Sequence, residues 1–567
     1  MHRARTLVGA VLGAALLAIS SGGRSHANPS TAPTALSLAA ATDTPPPPPR
    51  WMRPILPEAL QPPAPPPPLT PAERFAEKLE ALAAMPLARR PLAESTAETS
   101  LLDTEGLDVA LTALVGSYEA QAQLSVHVRS LESQRVLFDY SGDLPLIPAS
   151  NQKVVTSAAA IDLLGSDYTF TTVVGRDDKT LYLRGDGDPS LDLDELADMA
   201  EIIARRVDLA TIERLVVDDT AFSPRSFGPG YSPDGPGNSY EAPSGAVSLD
   251  FNTVGITVFP VRRSSKLGVS VSVPGDNVVV QNSARIGTRN TLRVSTRPEG
   301  TQTIVEVRGR LPRNVPSERF RRRIYHPGLF TGAAFAELLA VESSSEPLPV
   351  ELGPMPDDAD IVLREESEPL IAVLDAGLAY SNNFVAEQVL RTLAWRMTGV
   401  PGDWEAGQKV LTDYWSALIG EGFVAENGSG LSRVGRATTQ GLVDLLSLAF
   451  RSHVAGESLL DALPVSGDPG TMRGRLTRSG QRVRAKTGTM RGVSGLTGVI
   501  TGDDGTAQVG FSILVNASNP ALVASRRRAI EDQIVRHVLS ALDDYDALGS
   551  GVNGDDALVD GGDVQTL

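Results

Sequence analysis

Residues 148–165 read PASNQKVVTSAAAIDLLG and combine a helix signal with two reactive side chains. Pro148 and Gly165 are typical of the start and the end of a helix. Ser150 and Lys153 lie three residues apart, so a helix places them on one face, about one turn apart. Serine is a weak nucleophile until a neighbouring base takes its proton. The stretch therefore predicts Ser150 as a nucleophile and Lys153 as its base, although alone it also fits a serine in a first helical turn with a solvated lysine.

Lysine is scarce in this chain, which has 51 lysines and arginines together but only six lysines. Arginine stays protonated, whereas a lysine can lose its proton when it is buried or lies beside another cation. A second lysine stands in KTGT, residues 486–489. This pattern predicts a strand on which Gly488 lets a ligand approach the backbone, while Lys486, Thr487 and Thr489 grip a carboxylate. Alone it also fits an edge-strand lysine in a turn.

A second hydroxyl and an amide occur in LAYSNNFVAEQVLRTLAW, residues 378–395, at the start of a predicted helix. Ser381 and Asn383 form the pattern SxN, which alone is an ordinary capping sequence. Taken in order, SxxK, SxN and KTG resemble the signature of penicillin-binding serine enzymes and related β-lactamases. Tyr380 and Asn382 also form YxN, the second motif of class C β-lactamases, so the register is ambiguous.

The long, β-rich gap between the first two motifs resembles a narrower group, the D-alanyl-D-alanine carboxypeptidase/endopeptidase family of class C penicillin-binding proteins (DacB type). That insertion, together with FVAEQVLRTL after the second motif, favours SxN over YxN. Asn382 and Asn427 stand where the family often has aspartate. The resemblance covers residues 101–542 and includes four further stretches: LYLRGDGDPSLD (181–192), YEAPSGAVSLDFN (240–252), NGSGLSR (427–433) and GTMRGRL (470–476).

The resemblance implies an α/β (α+β) fold, with a serine DD-peptidase/β-lactamase-like catalytic domain that is split in sequence by inserted β-rich accessory domains. Strand-like runs between residues 167 and 310 and helical patterns after residue 370 agree with it. We expect this division: signal peptide 1–27, proline-rich spacer 28–100, first catalytic part 101–166, accessory domains 167–355, second catalytic part 356–545 and acidic disordered tail 546–567.

The resemblance also implies catalytic roles. Ser150 would attack the carbonyl of the penultimate D-alanine, with Lys153 as its base. Ser381 would relay a proton to the leaving amine, and Asn383 would hold the substrate's backbone amide. Lys486 would keep Lys153 neutral by charge repulsion.

The resemblance further implies that the KTGT segment binds the substrate. Thr487 and Thr489, with Gly488 between them, would bind the terminal carboxylate. The backbone N–H groups of Ser150 and Thr489 would form the oxyanion hole. No metal and no organic cofactor is implied.

Composition excludes several other functions. The formal charge of −17 and a pI near 4.9 argue against nucleic-acid binding. The absence of cysteine removes disulfides, thiolate metal sites and cysteine nucleophiles. The six histidines show no metal-binding spacing.

The ends of the chain suggest export. Two arginines, an apolar run and SHA at residues 25–27 match a secretory signal peptide, and no later stretch is apolar enough to span a membrane. Residues 45–71 are rich in proline and favour a stiff spacer, followed by a short amphipathic helix over 72–84. We therefore expect an exported protein in the periplasm or at the cell wall.

Two charged stretches have simpler interpretations. GDGDPSLDLDELAD, residues 185–198, lacks the glycine that an EF-hand loop needs and is interpreted as a turn with solvated carboxylates. The arginines of FRRRIYH, residues 320–326, are interpreted as a solvated face.

The sequence thus predicts a serine-type D-Ala-D-Ala carboxypeptidase with peptidoglycan stem peptides as substrates and β-lactams as inhibitors. DD-endopeptidase activity on cross-links is a further expectation. The alternatives are a serine β-lactamase and a catalytically silent cell-wall binding protein. Nothing in the sequence ranks carboxypeptidase against endopeptidase activity or gives the oligomeric state.

Overall fold

The structure is a computed structural model that describes residues 69–85, 104–451, 455–502 and 504–552. The predicted signal peptide, most of the proline-rich spacer and residues 553–567 lie outside the described residues. Among the helices that are described, none combines the length and the apolar content needed to cross a bilayer.

The described chain contains both helices and strands. The helices are α1 (Pro71–Ala84), α2 (Thr104–Gly116), α3 (Gln152–Leu164), α4 (Leu193–Arg206), α5 (Pro327–Ser343), α6 (Leu370–Ala379), α7 (Asn383–Thr398), α8 (Trp404–Leu418), α9 (Thr439–Arg451), α10 (Gly456–Asp461) and α11 (Ala524–Val552). The strands are β1 (Ala122–Ser130), β2 (Val136–Tyr140), β3 (Thr171–Arg176), β4 (Thr180–Gly185), β5 (Arg214–Asp218), β6 (Thr253–Pro260), β7 (Leu267–Val271), β8 (Val278–Asn282), β9 (Arg285–Gly287), β10 (Arg293–Glu299), β11 (Gln302–Arg308), β12 (Arg310–Pro312), β13 (Glu318–Arg323), β14 (Val350–Leu352), β15 (Asp360–Glu366), β16 (Val483–Met490), β17 (Val493–Thr501) and β18 (Ala507–Ala517).

One antiparallel sheet joins the two ends of the described chain. Its order is β16-β17-β18-β1-β2, and Ala122 of β1 pairs with Ala517 of β18. Every residue of β17 is buried because hydrophobic cores cover both faces of the sheet. One core contains α3, α7, α8 and α9, and the other contains α2 and α11. The α/β (α+β) fold predicted from the resemblance is confirmed.

The middle of the chain builds separate sheets. The largest has the mixed order β14-β5-β4-β3-β15, and smaller sheets have the orders β10-β11-β8, β13-β6-β7 and β12-β9. A third hydrophobic core packs these strands against α4 and α5. Alternating apolar residues explain the strands, and a capping box formed by Asp192 and Glu195 explains where α4 begins.

Helix α7 links the middle region to the core beside the five-stranded sheet. Its residues 383–394 are all buried, including polar ones. Arg391 donates hydrogen bonds to the carbonyl oxygens of Ser223, Ser244 and Gly402, and its guanidinium stacks on Trp404. Because a buried cation needs such partners, α7 fixes the middle region against the catalytic helices.

Two interpretations of charged stretches hold only in part, since Asp192, Asp194, Glu195, Asp198 and Arg321 are exposed as expected but other members of the same stretches are not. Asp186 and Asp188 are buried, not solvated, since Asp186 pairs with Arg396 of α7 at 2.8 Å and Asp188 accepts hydrogen bonds from Ser190. Arg323 is fully buried because its guanidinium donates to backbone carbonyl oxygens and stacks between two aromatic rings.

The disordered acidic tail was predicted to begin at residue 546, and the first residues of that range are helical. Helix α11 continues to Val552. Once a helix is nucleated, each further residue adds one hydrogen bond at little cost. Helix α1 begins with a capping box of Thr70 and Glu73 and agrees with the short helix expected over residues 72–84.

Candidate active site

Ser150 lies in a one-turn 3-10 helix, residues 149–151, that leads directly into α3. It is half-buried, whereas Asn151, Gln152 and Lys153 are fully enclosed. Ala149 has a φ of 48°, in the left-handed region that residues with a Cβ rarely adopt. This strained backbone turns the Ser150 hydroxyl towards a cleft while α3 runs into the core.

Lys153 contacts Ser150 as the spacing predicts. Its Nζ lies 3.0 Å from Ser150 Oγ, 2.7 Å from Asn383 Oδ1 and 2.9 Å from the carbonyl oxygen of Ser429. The last two atoms are pure acceptors, since the Asn383 amide nitrogen donates to the Tyr240 carbonyl oxygen. A neutral amine has two hydrogens for these acceptors, and its lone pair is then left to take the hydroxyl proton of Ser150.

Burial lowers the pKa of Lys153 to about 7, although the negative charge of Glu387 opposes this change. Repulsion from Lys486 was expected to lower the pKa of Lys153, but the cause is desolvation by burial. Burial also holds the pKa of Lys486 well below its usual range, and the charge of Lys153 lowers it further. Lys153 is thus suited to proton transfer near neutral pH, and the lowered pKa of Lys486 favours its neutral form.

We predict that acylation of Ser150 by benzylpenicillin speeds up as the pH rises through about 7 and then levels off. Only the unprotonated amine can accept a proton, and its fraction falls about tenfold for each pH unit below the pKa. The second-order rate constant, measured between about pH 5 and about pH 9, checks this. A rate that is flat or falls with pH across that range would contradict it.

Ser381 stands beside the second lysine. Lys486 Nζ donates to Ser381 Oγ at 2.8 Å and to the Thr487 carbonyl oxygen at 2.8 Å. Ser381 has a φ of 55°, so it too is held in a strained backbone conformation. The structure therefore brings both motif hydroxyls into contact with a buried amine.

The SxN register places its residues at the lysines, and the YxN register does not. Asn383 contacts Lys153, as described above. Asn382 instead caps α7 by accepting a hydrogen bond from the Phe384 N–H at 3.0 Å, and Tyr380 is 55% exposed at the end of α6.

Gly488 has a structural reason to be a glycine. A Cβ at this position would come within 2.7 Å of Asn151 Nδ2 and 2.9 Å of the Pro148 carbonyl oxygen. These atoms belong to the turn that carries Ser150. Gly488 thus permits a close approach between β16 and this turn.

Glu387 is a functional candidate that the sequence analysis missed. This buried carboxylate accepts hydrogen bonds from the backbone N–H groups of Gly428 and Ser429 at 3.0 Å each, and from Trp404 Nε1 at 2.8 Å. It thereby fixes the loop whose Ser429 carbonyl contacts Lys153. A lone acid within the apolar helix FVAEQVL was the signal that could have revealed it.

The same loop explains one departure from the family pattern. Asn427 is fully buried, and its amide donates to the carbonyl oxygens of Pro229 and Leu431 while accepting from the Gly430 N–H. An ionised aspartate could not make the two donated hydrogen bonds. The amide therefore suits the loop as it is built here.

An open cleft of about 710 Å³ lies in front of these groups. The residues lining it come from five segments: Ser150, Ser381, Thr471, Gly474, Arg475, Thr487, Thr489, Ser525, Arg528, Ala529 and Asp532. Among the described residues, no group of three or more acidic, histidine or cysteine side chains is arranged to hold a metal ion. The cleft therefore contains a hydroxyl nucleophile next to an amine base, and this pair of groups can catalyse acyl transfer.

Comparison with known proteins agrees with this chemistry. The model of the D-Ala-D-Ala carboxypeptidase 3 (S13) family matches residues 107–538. The D-alanyl-D-alanine carboxypeptidase of Actinomadura sp. (strain R39) is 32% identical over 418 residues, which make up 68% of this chain and 77% of that protein.

Solved structures agree in fold. Penicillin binding protein 4 (dacB) from Haemophilus influenzae matches with a TM-score of 0.64 at 21% identity, covering 76% of this chain and 99% of that one. The same protein complexed with a β-lactam matches with a TM-score of 0.61 at 19% identity and the same coverage. The family predicted from the three motifs is confirmed: the chain belongs to the D-Ala-D-Ala carboxypeptidase 3 (S13) family.

Proposed function

We propose that Ser150 is the nucleophile with which this serine-type D-Ala-D-Ala carboxypeptidase removes the terminal D-alanine from peptidoglycan stem peptides. The observation that carries the proposal is the placement of the Lys153 amine. This amine contacts two acceptors, Asn383 Oδ1 and the Ser429 carbonyl oxygen, and lies 3.0 Å from the Ser150 hydroxyl oxygen. Membership of the family and the carboxypeptidase relative support the same activity.

The reaction follows from these contacts. Lys153 takes the hydroxyl proton as Ser150 Oγ attacks the carbonyl carbon of the penultimate D-alanine. The backbone N–H groups of Ser150 and Thr489 stabilise the oxyanion. Ser381, in contact with Lys486, passes a proton to the nitrogen of the leaving D-alanine as the C–N bond breaks. Water then hydrolyses the ester on Ser150.

The site residues have two further tasks in this proposal. Asn383 orients Lys153 and is available to the substrate's backbone amide, while Thr487 and Thr489 lie in the cleft where a terminal carboxylate binds. Gly488 contributes by letting β16 approach the turn that carries Ser150.

A peptidoglycan substrate and β-lactam binding are supported by the family and by the β-lactam complex of the Haemophilus influenzae protein. Both support a location outside the cytoplasmic membrane, and we propose that residues 1–27 direct export of the protein. We also propose that residues 167–355 act as accessory domains and that cross-links between stem peptides are secondary substrates.

Mass spectrometry of muropeptides tests the proposal. The protein and its Ser150→Ala variant are incubated with pentapeptide monomers and with cross-linked dimers, and Ser525→Ala, on the rim of the same cleft, serves as a matched control. We expect monomers to lose one alanine with the wild type and the control, and a loss of activity of about 10⁴-fold or more with Ser150→Ala.

Conversion of dimers to monomers would establish the secondary activity. Full activity of Ser150→Ala would overturn the proposed nucleophile. Incubation with benzylpenicillin distinguishes the proposed peptidase from a β-lactamase. A peptidase keeps a persistent adduct on Ser150, whereas a β-lactamase hydrolyses the drug rapidly.

A further inference from the structure

A guanidinium with no acidic partner faces the end of the cleft next to the KTGT strand. Arg528, on the exposed side of α11, lines the same cleft as Ser150 and Thr489. Its Nη2 lies 3.4 Å from Thr489 Oγ1. Among the residues that the structure describes, Arg528 forms no ion pair, so its charge is available to a ligand.

The other arginine of the cleft is already neutralised. Arg475 donates to Glu531 Oε2 at 2.9 Å and to Asp532 Oδ1 at 2.6 Å, and only 11% of its side chain is exposed. Asp532 has a second cation, Arg536, at 4.0 Å. The acids at this end of the cleft are therefore balanced without Arg528, which adds an unmatched positive charge.

We infer that Arg528 and Thr489 bind the α-carboxylate of the leaving D-alanine, which makes Arg528 a specificity-determining residue for the proposed reaction. In D-alanine one carbon separates the scissile nitrogen from the carboxylate, so this group must bind within a few ångströms of Ser150. A guanidinium and a hydroxyl 3.4 Å apart suit the two oxygens of one carboxylate. An amide or ester end carries no negative charge to pair with the guanidinium, so it loses the charge-assisted part of this interaction.

The inference rests on the proposed function and sharpens it. A leaving group without a carboxylate beside its nitrogen gains nothing from Arg528. The residue therefore favours removal of a terminal D-amino acid over cleavage of bonds whose leaving amine carries no such group.

The test compares two peptides that differ only at their ends: one terminates in D-Ala-D-Ala with a free carboxylate, and the other has the same sequence with a C-terminal amide. We expect Arg528→Gln to lower kcat/KM for the acid by about 10- to 100-fold, the usual worth of a charge-assisted hydrogen bond. For the amide the change stays within about twofold, and Arg528→Lys recovers part of the loss on the acid because it keeps the charge.

Arg526→Gln is the matched control. Arg526 is exposed on the same helix but does not line the cleft, so both peptides should be cleaved as by the wild type. Equal losses of Arg528→Gln on acid and amide, or no loss on either, would overturn the inference while leaving the proposed function intact. A wild-type protein that cleaves neither peptide would overturn the proposed function, and the inference with it.

Discussion

Replacing Lys153 with methionine lowers the rate of Ser150 acylation by benzylpenicillin by about a thousandfold or more. Methionine keeps the length and the apolar stem of the side chain but has no basic nitrogen, so the hydroxyl proton has no acceptor at 3.0 Å. The substitution lowers the rate at which Ser150 attacks, and it changes the affinity for penicillin little by comparison. Stopped-flow measurement of acylation separates the two.

Lys409→Met is the matched control for this substitution. Lys409 is exposed on α8 and pairs only with Asp413, so its loss should leave acylation unchanged. Melting temperatures of both variants show whether the fold persists. Wild-type acylation by a well-folded Lys153→Met protein would rule out Lys153 as the base.

The second large effect concerns stability. Glu387→Ala leaves three buried N–H groups without an acceptor, those of Gly428 and Ser429 and the indole of Trp404, and it removes a partner of the Tyr231 hydroxyl. Each unpaired buried donor costs about 1 to 3 kcal/mol, so we expect the free energy of unfolding to fall by about 3 to 5 kcal/mol. Calorimetry should show a lower melting temperature than for Glu132→Ala, which removes an exposed carboxylate.

A conservative variant adds a readout that lost packing alone would not change. Glu387→Gln keeps the size of the side chain but removes the charge that holds the pKa of Lys153 up. Without that charge the ammonium is disfavoured further, so the rise of the acylation rate with pH should move to lower pH. An unchanged profile would mean that Glu387 acts on the loop alone.

Sequence reasoning found the groups that share a local pattern. Ser150 and Lys153 are one turn apart, and KTGT lies on a single strand, so spacing alone predicted their juxtaposition. The register of Ser381 and Asn383 was predicted from the residues that follow them and from the β-rich insertion, and each of the two side chains contacts a buried lysine. Such motifs are visible because the chemistry needs particular residue types at fixed separations.

Groups that depend on distant partners were missed. Glu387 binds the loop at Gly428 and Ser429, more than forty residues further along the chain. Arg528 follows Thr489 by 39 residues and meets it only because α11 packs against the sheet. The periodicity of a sequence does not predict contacts between such distant residues. A charged residue on a helix is explained equally well by a solvated face.

The five-stranded sheet has a consequence for the order in which the protein becomes active during synthesis. Ser150 is made early, but β1 needs β18 as its neighbour, and Ile147 and Asn516, 369 residues apart, exchange hydrogen bonds just before the nucleophile. Contacts so distant along the chain form late. A nascent or truncated chain that lacks β18 therefore contains the nucleophile but no finished active site, so hydrolysis waits until translation of the sheet is complete.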